Sequence, residues 1–288
     1  MLGLPGSERV TLPPVAGHSG WDNFTTTNNR AQNMLNPTAA TPSSARSAGN
    51  REAVAARAAA RTAARCSSCS MRQICMPQGL SAEELPKLET LICSARSVPR
   101  GEALYRSGDR FDNIYALRSG SMKTVMIHRD GREQVTGLRL AGEPLGLDGI
   151  SADLHACSAV ALEDSTVCIV PYSALKLLCR EISSIQERMH KLLGAQIVSE
   201  AAQMMVLGSL SADERVAAFL LDVSQRNAQR GYSWSEFNLR MTREDMGSYL
   251  GMTLETVSRT LSRFQKRGLI DTRGKHIRIV DLEGLRQI

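Results

Sequence analysis

No stretch of this 288-residue chain approaches the roughly 20 consecutive apolar residues of a bilayer-spanning helix, so a membrane-embedded protein is excluded and no membrane partner is expected. Cysteine is sparse and odd in number, seven in all, far below the density of a secreted disulfide scaffold. No charged-then-apolar leader opens the chain, and together these features point to a reducing, cytoplasmic compartment. A phosphate-cradling glycine loop, a nucleophile elbow and a paired-carboxylate arrangement are all missing, so an enzyme is not expected. What is present is an ordinary globular balance of 42% hydrophobic and 22% charged residues, with enough chain for two modules at roughly 150 residues each.

The net charge of +6 is unevenly placed. Residues 1–65 carry 7 basic and 3 acidic side chains, residues 66–239 carry 18 and 20, and residues 240–288 carry 10 and 6. A basic C-terminal segment on a near-neutral middle suits a polyanion-binding module attached to a regulatory domain, because phosphate contacts dominate nucleic-acid affinity. The first 50 residues hold five of the ten prolines amid Asn, Thr, Ser and Gly; without apolar periodicity they are expected to be disordered. Residues 51–65 turn to Ala and Arg, which favours a short helix with no core to join.

Beyond Cys75 the spacing of Leu80, Leu85, Leu88, Leu91 and Ile92 is helical. Gly101, Gly108, Gly120, Gly131, Gly142 and Gly149 then punctuate strand-like pieces such as 114–117 and 124–127 at intervals of 7 to 12 residues, which suggests a β-roll or barrel. From Ser183 the pattern changes. Ile185, Met189, Leu192, Leu193, Ile197, Met204 and Met205 recur every three or four residues, the signature of one long amphipathic helix. Such a helix can pair with a second copy, and a parallel homodimer is expected with Met189, Leu193, Ile197, Glu200 and Met204 at the interface. Two Glu200 carboxylates in that seam would oppose pairing.

Thr242 is a good N-cap for a helix carrying Met246, Tyr249 and Leu250, Gly251 supplies a tight turn, and a second helix follows with Val257, Leu261 and Phe264 on one face. Residues 270–280 alternate around Arg273-Gly274-Lys275 as a two-stranded wing. The unit reads as a winged helix-turn-helix that binds double-stranded DNA. In the major groove Arg grips guanine, Glu accepts from cytosine and Ser bonds to either edge, so Glu255, Ser258 and Arg259 are the expected base readers. Arg263, Lys266, Arg267 and Lys275 are expected on phosphates.

Cys66, Cys69 and Cys75 form C-x2-C-x5-C. In a reducing compartment a metal explains them more economically than a disulfide. Thiolates suit zinc or iron-sulfur iron, and a fourth ligand is then needed from Cys93, Cys157, Cys168 or Cys179. Cys93 and Cys179 sit at apolar positions of helical patterns, where a thiol acts as a small hydrophobe; spacing alone does not choose among the four.

At this point the chain resembles the FNR-type oxygen-sensing branch of the cyclic-AMP receptor protein (CRP/FNR) superfamily of bacterial transcription regulators. The resemblance covers about residues 64–288 and rests on Cys-Ser-Ser-Cys-Ser-Met-Arg-Gln-Ile-Cys-Met-Pro at 66–77, Val-Cys-Ile-Val-Pro at 167–171 and Glu-Thr-Val-Ser-Arg at 255–259. It implies an α+β fold: an N-terminal cyclic-nucleotide-binding-like β-roll (a double-stranded β-helix or jelly roll), a long dimerisation helix and a C-terminal winged helix-turn-helix. It implies a [4Fe-4S] cluster on Cys66, Cys69, Cys75 and Cys168, and readout of TTGAT half-sites by Glu255, Ser258 and Arg259. Contacts to RNA polymerase are implied near Ser119 and the Asp130-Gly131-Arg132 turn. The expected organisation is a disordered basic tail over 1–65, an iron-sulfur-binding segment and β-roll over 66–182, a dimerisation helix over 183–209 and the DNA-binding domain over 210–288.

One departure bears on the ligand. Cyclic-nucleotide binders of the superfamily carry a Gly-Glu segment and then an Arg shortly before Ala-Ser or Ala-Thr that holds the cyclic phosphate. Gly142-Glu143 is present here, but Leu154-His155-Ala156-Cys157-Ser158 lacks the guanidinium, so no cyclic nucleotide is expected. The resulting expectation is an oxygen-responsive regulator whose cluster favours the DNA-binding dimer. A zinc-stapled regulator indifferent to oxygen is the alternative.

Overall fold

The structure, a computed structural model, describes residues 65–92 and 94–288. The expectations for the tail and for Cys93 fall outside those residues, apart from Arg65. After a run of turns, helix α1 (Glu84–Leu91) leads into eight strands: β1 (Ser94–Val98), β2 (Ala103–Tyr105), β3 (Asn113–Ser119), β4 (Ser121–Ile127), β5 (Glu133–Leu140), β6 (Pro144–Leu145), β7 (Ser158–Ala161) and β8 (Ser165–Pro171). They form two antiparallel four-stranded sheets, ordered β1-β8-β3-β6 and β2-β7-β4-β5, the expected roll. Tyr105, Leu117, Met122, Ala159 and Val167 fill its interior.

Strand alternation decides where Cys168 goes. Successive side chains of a strand leave opposite faces, so Val167 enters the roll interior while Cys168 and Val170 join the outer cluster with Leu88, Ile92 and Ile114. In register, Cys168 lies between Ala95 of β1 and Ala116 of β3. These small neighbours keep its surroundings open.

Helix α2 (Tyr172–Glu181) closes the roll and α3 (Ser183–Ser209) is the long helix, about 40 Å at 1.5 Å per residue. Its first turns bury Ile185 and Met189, whereas Ile197 and Met204 further along are 67% and 68% exposed. The apolar row therefore serves two purposes: its start packs on the chain's own outer cluster, and its remainder has no cover among the described residues.

The C-terminal head comprises α4 (Ala212–Gln229), β9 (Glu236–Asn238), α5 (Arg243–Leu250), α6 (Leu254–Lys266), β10 (Ile270–Arg273), β11 (His276–Ile279) and α7 (Leu282–Arg286). Thr242 caps α5 in a reciprocal box with Asp245, and Thr253 caps α6 by accepting from the Thr256 N–H. Between them Gly251 ends α5 in the left-handed region at φ +64°, where a side chain is strained. Val257, Thr260, Leu261 and Phe264 bury one face of α6, and β10 and β11 make the wing, joined by β9 into a three-stranded sheet.

Candidate metal centre and nucleic-acid interface

Residues 65–80 wind over the outer sheet through short turns: Cys69 N–H donates to Cys66 O at 3.2 Å and Cys75 N–H to Met71 O at 2.9 Å. Burial of Met71 and Met76 anchors the segment, and the Ser67 N–H is held by Glu89 of α1. The result gathers Cys66, Cys69, Cys75 and Cys168 around one mainly apolar cavity, with Arg65, Arg72 and Arg118 also in its wall. The four thiols line the cavity without meeting at a point: among the described residues no three His, Cys, Asp or Glu side chains converge closely enough to hold a single metal ion.

The electrostatics of the thiols follow from that enclosure. Burial, then the neighbouring Cys75, Cys168, Glu89 and Cys69, push the Cys66 thiol up to about 12. Burial likewise pushes Cys75 up to about 12 and raises Cys168, which Arg118 opposes. At neutral pH these are protonated thiols, and a cationic group entering among them must displace their protons. Four sulfur donors in an apolar enclosure are the donor chemistry of an iron-sulfur cluster. Of the other cysteines, Cys157 is buried inside the roll and Cys179 packs at the edge of the outer cluster; neither lines the cavity.

The second site is on the surface. Glu255, Arg259, Arg263, Lys266 and Arg267 are exposed on or just after α6, Ser258 is half-buried, and Lys275 is exposed on the wing. Ser258, Arg259, Ser262, Arg263 and Lys266 line one shallow groove. The Glu255 carboxyl is held below its ordinary range by its own first-turn N–H, then by Thr253 and Arg259, and the Arg259 Nη2 donates to Thr256 Oγ1 at 3.3 Å. Arg263 is less free than periodicity implies, because it pairs with Asp213 of α4.

Two family models match the chain, a cyclic nucleotide-binding domain over residues 95–181 and a Crp-like helix-turn-helix domain over 214–288. Over 226 residues it is 43% identical to the transcriptional regulatory protein btr of Bordetella pertussis, covering 78% of this chain and 93% of that protein. The chain belongs to the CRP/FNR family of transcription regulators. Another relative is the fumarate and nitrate reduction regulatory protein of Escherichia coli, 40% identical over 223 residues, 77% of this chain and 89% of that protein. The solved structure of FixK2 from Bradyrhizobium japonicum matches with a TM-score of 0.63 at 28% identity, covering 67% of this chain and 96% of that chain. As a CRP/FNR member the chain is a DNA-binding regulator and not an enzyme. Among its described residues no helix is long and apolar enough to cross a membrane.

The geometry corrects one reading within this CRP/FNR fold. Gly142-Glu143 does not stand beside the 154–158 stretch. Glu143 instead faces α4, where Arg226 Nη2 reaches its Oε2 at 2.7 Å and Arg230 binds its Oε1. Burial alone would raise the Glu143 pKa, yet the two guanidinium groups hold it below the ordinary value. The glycine beside the 154–158 stretch is Gly146, against the His155 ring, and the acid there is Asp148, whose Oδ2 accepts from the N–H groups of Ala156 at 2.8 Å and Cys157 at 3.2 Å. A motif match by spacing had selected the wrong glycine.

Met189 also differs in placement. It is 6% exposed within its own chain, packed in the cluster that includes Cys66, Cys168 and Leu175, and so does not lie on the exposed part of the long helix. Leu193 is half-buried while Ile197, Glu200 and Met204 are exposed, with Gln196 donating to Glu200 at 2.6 Å. Ser119 is exposed at the end of β3, and the Asp130–Arg132 turn at the tip of the β4–β5 hairpin is exposed and tied by an Asp130–Arg132 ion pair of 2.7 Å. Sequence reasoning missed Asp148, Arg226, Arg230 and Arg188. For Arg188 the signal was readable: it lies three residues after Ile185 and four before Leu192, a charge set in an apolar row.

Proposed function

We propose that this chain is an oxygen-responsive regulator in which Cys66, Cys69, Cys75 and Cys168 hold a [4Fe-4S] cluster. The observation that carries the reading is the cavity where these four sulfurs, three from one short segment and one from β8, are the only cysteines among the described residues lining it. A bound cluster supplies an oxygen-labile covalent tie among the four thiolates. The chain's own part is mechanical: Met71 and Met76 anchor the segment, and Ile185 and Met189 seat the long helix on the same outer cluster. Ordering of the segment then favours pairing of two chains through Leu193, Ile197, Glu200 and Met204, with the like charges of Glu200 opposing it.

In the paired form two copies of α6 present Glu255, Ser258 and Arg259 to half-sites of TTGAT type, with Lys266, Arg267, Lys275 and a released Arg263 on phosphates. Ser119 and the Asp130–Arg132 turn are the surfaces for RNA polymerase. No cyclic nucleotide is required: the loop N–H groups of Ala156 and Cys157 already hold the Asp148 carboxylate, so an incoming phosphate meets a fixed negative charge where it would need donors. Protein purified without oxygen is expected to contain iron and acid-labile sulfide in equal amounts, close to four of each per chain, with a visible absorption that bleaches in air. Zinc without sulfide would overturn the reading.

A further inference from the structure

Besides apolar packing of Met76 with Ile185 and Met189, a charged side chain links the cysteine segment to the long helix. Arg188, in the second turn of α3, reaches to the turn that carries Cys75: its Nη2 donates to the carbonyl oxygens of Ile74 at 3.3 Å and Cys75 at 2.9 Å. Its Nε is buried and has no hydrogen-bond partner among the described residues. A guanidinium offers five donors, and each one buried without an acceptor costs free energy. A methionine or leucine there would extend the row of Ile185 and Leu192 without that cost. The contact is thus better suited to fixing a position than to stabilising the fold.

Location gives the contact its consequence. Arg188 sits where α3 changes from packed to uncovered, next to buried Met189 and one turn before half-buried Leu193. On the other side of the contact, Ile74 lies against Gly142 and lines, with Leu192 and Gln196, the cavity between the roll and α3. The Ile74-Cys75 turn is therefore gripped from the helix by Arg188 and from the roll by the Gly142 corner. Whatever orders or releases Cys75 changes the seat of the helix.

We propose that Arg188 is a positioning residue that fixes the start of the long helix to the Cys75 turn, so that order in the cysteine segment sets the pose of the seam beyond Leu193. This rests on the cluster reading for the effect on the seam, while the Arg188 contact to the Cys75 turn is argued from the chain's own atoms. Two variants, Arg188→Ala and Arg188→Lys, separate the two claims. In metal-free protein, amide hydrogen exchange over residues 71–78 is expected to accelerate in Arg188→Ala and to recover in part in Arg188→Lys, which keeps a donor. In anaerobically loaded protein of unchanged iron content and spectrum, Arg188→Ala is expected to weaken dimerisation by roughly 5- to 100-fold, with little change in the metal-free form. A double-mutant cycle with Cys75→Ser then makes Arg188→Ala silent. Unchanged exchange in metal-free Arg188→Ala overturns the tie even if no cluster is ever found. Equal weakening of loaded and metal-free dimers assigns Arg188 a merely structural role and overturns the coupling.

Discussion

The cysteine cavity and the recognition helix expose their chemistry in opposite ways. On α6 the side chains that would meet a ligand lie on one outward face of one helix, fixed by the cap at Thr253 and by burial of Val257, Leu261 and Phe264 behind them. Around the cavity the reactive groups are turned inward, and three of the four thiols are pushed above their ordinary pKa by burial. One region is ready for a partner as it stands. The other is costly to ionise, and on the proposed reading it gains order when a cationic group binds it. If the proposal holds, reader and sensor on one chain differ in this respect: pre-formed donors give recognition, and a site unsatisfied without its ligand gives response.

The largest effect is expected from removing the one inward sulfur that comes from the sheet, Cys168 of β8, rather than from the 65–80 segment. Cys168→Ala is expected to abolish iron and sulfide incorporation, while Cys179→Ala, outside the cavity, leaves both at the wild-type level; metal and sulfide analysis of anaerobically purified protein checks this. A Cys168→Ala protein that keeps its full iron would detach the cavity from the sensing role.

The next effect lies between the two regions, where Glu143 of the roll binds Arg226 and Arg230 of α4 and Lys123 meets Asp245 at 2.5 Å. Losing one partner of a buried ion pair strands the others, at about 3 kcal/mol, so Glu143→Gln should lower the unfolding temperature at neutral pH. The carboxyl's folded pKa is depressed, hence its contribution is present above the ordinary glutamate value of about 4.3 and is lost as the pH falls from there through the folded value. Thermal melts of wild type and Glu143→Gln should therefore converge as the pH falls below the ordinary glutamate range and through the depressed folded value; a constant gap would deny the ion pair its role. On the outward-facing side, Arg259→Ala should cost roughly 1 to 3 kcal/mol on a matched site and relax preference at one guanine. Lys275→Ala should weaken matched and mismatched sites alike in binding titrations. Equal losses on both sites for Arg259→Ala would remove it from base reading.

The same contrast explains what could be read from the sequence. The head was legible because a cap at Thr242, a helical period and a wing turn are local signals, so Val257, Leu261 and Phe264 announce which face of α6 remains free. The roll was legible as a rhythm of glycine turns, and the family resemblance named its class. Its internal partnerships were not. Gly142-Glu143 looked like a ligand motif because spacing carries no direction, and only the folded sheet shows Glu143 turned to α4 while Asp148 occupies the 154–158 loop. Met189 fitted the apolar row of a seam, yet periodicity cannot tell a face covered by the chain itself from one left for a second chain. The grouping of Cys168 with Cys66 depends on strand register across more than a hundred residues of sequence, which no local spacing carries: the family resemblance implied it, and the assembled roll brings both to one cavity.

In the proposed regulator the inward-facing thiols control the outward-facing helix through dimerisation. The most direct test is quantitative footprinting on a palindromic TTGAT-type promoter with one anaerobic preparation, half kept under argon and half aerated before titration. The account predicts protection of both half-sites under argon and a large loss of affinity after aeration, alongside a shift from dimer to monomer. Identical footprints at equal protein concentration would contradict it.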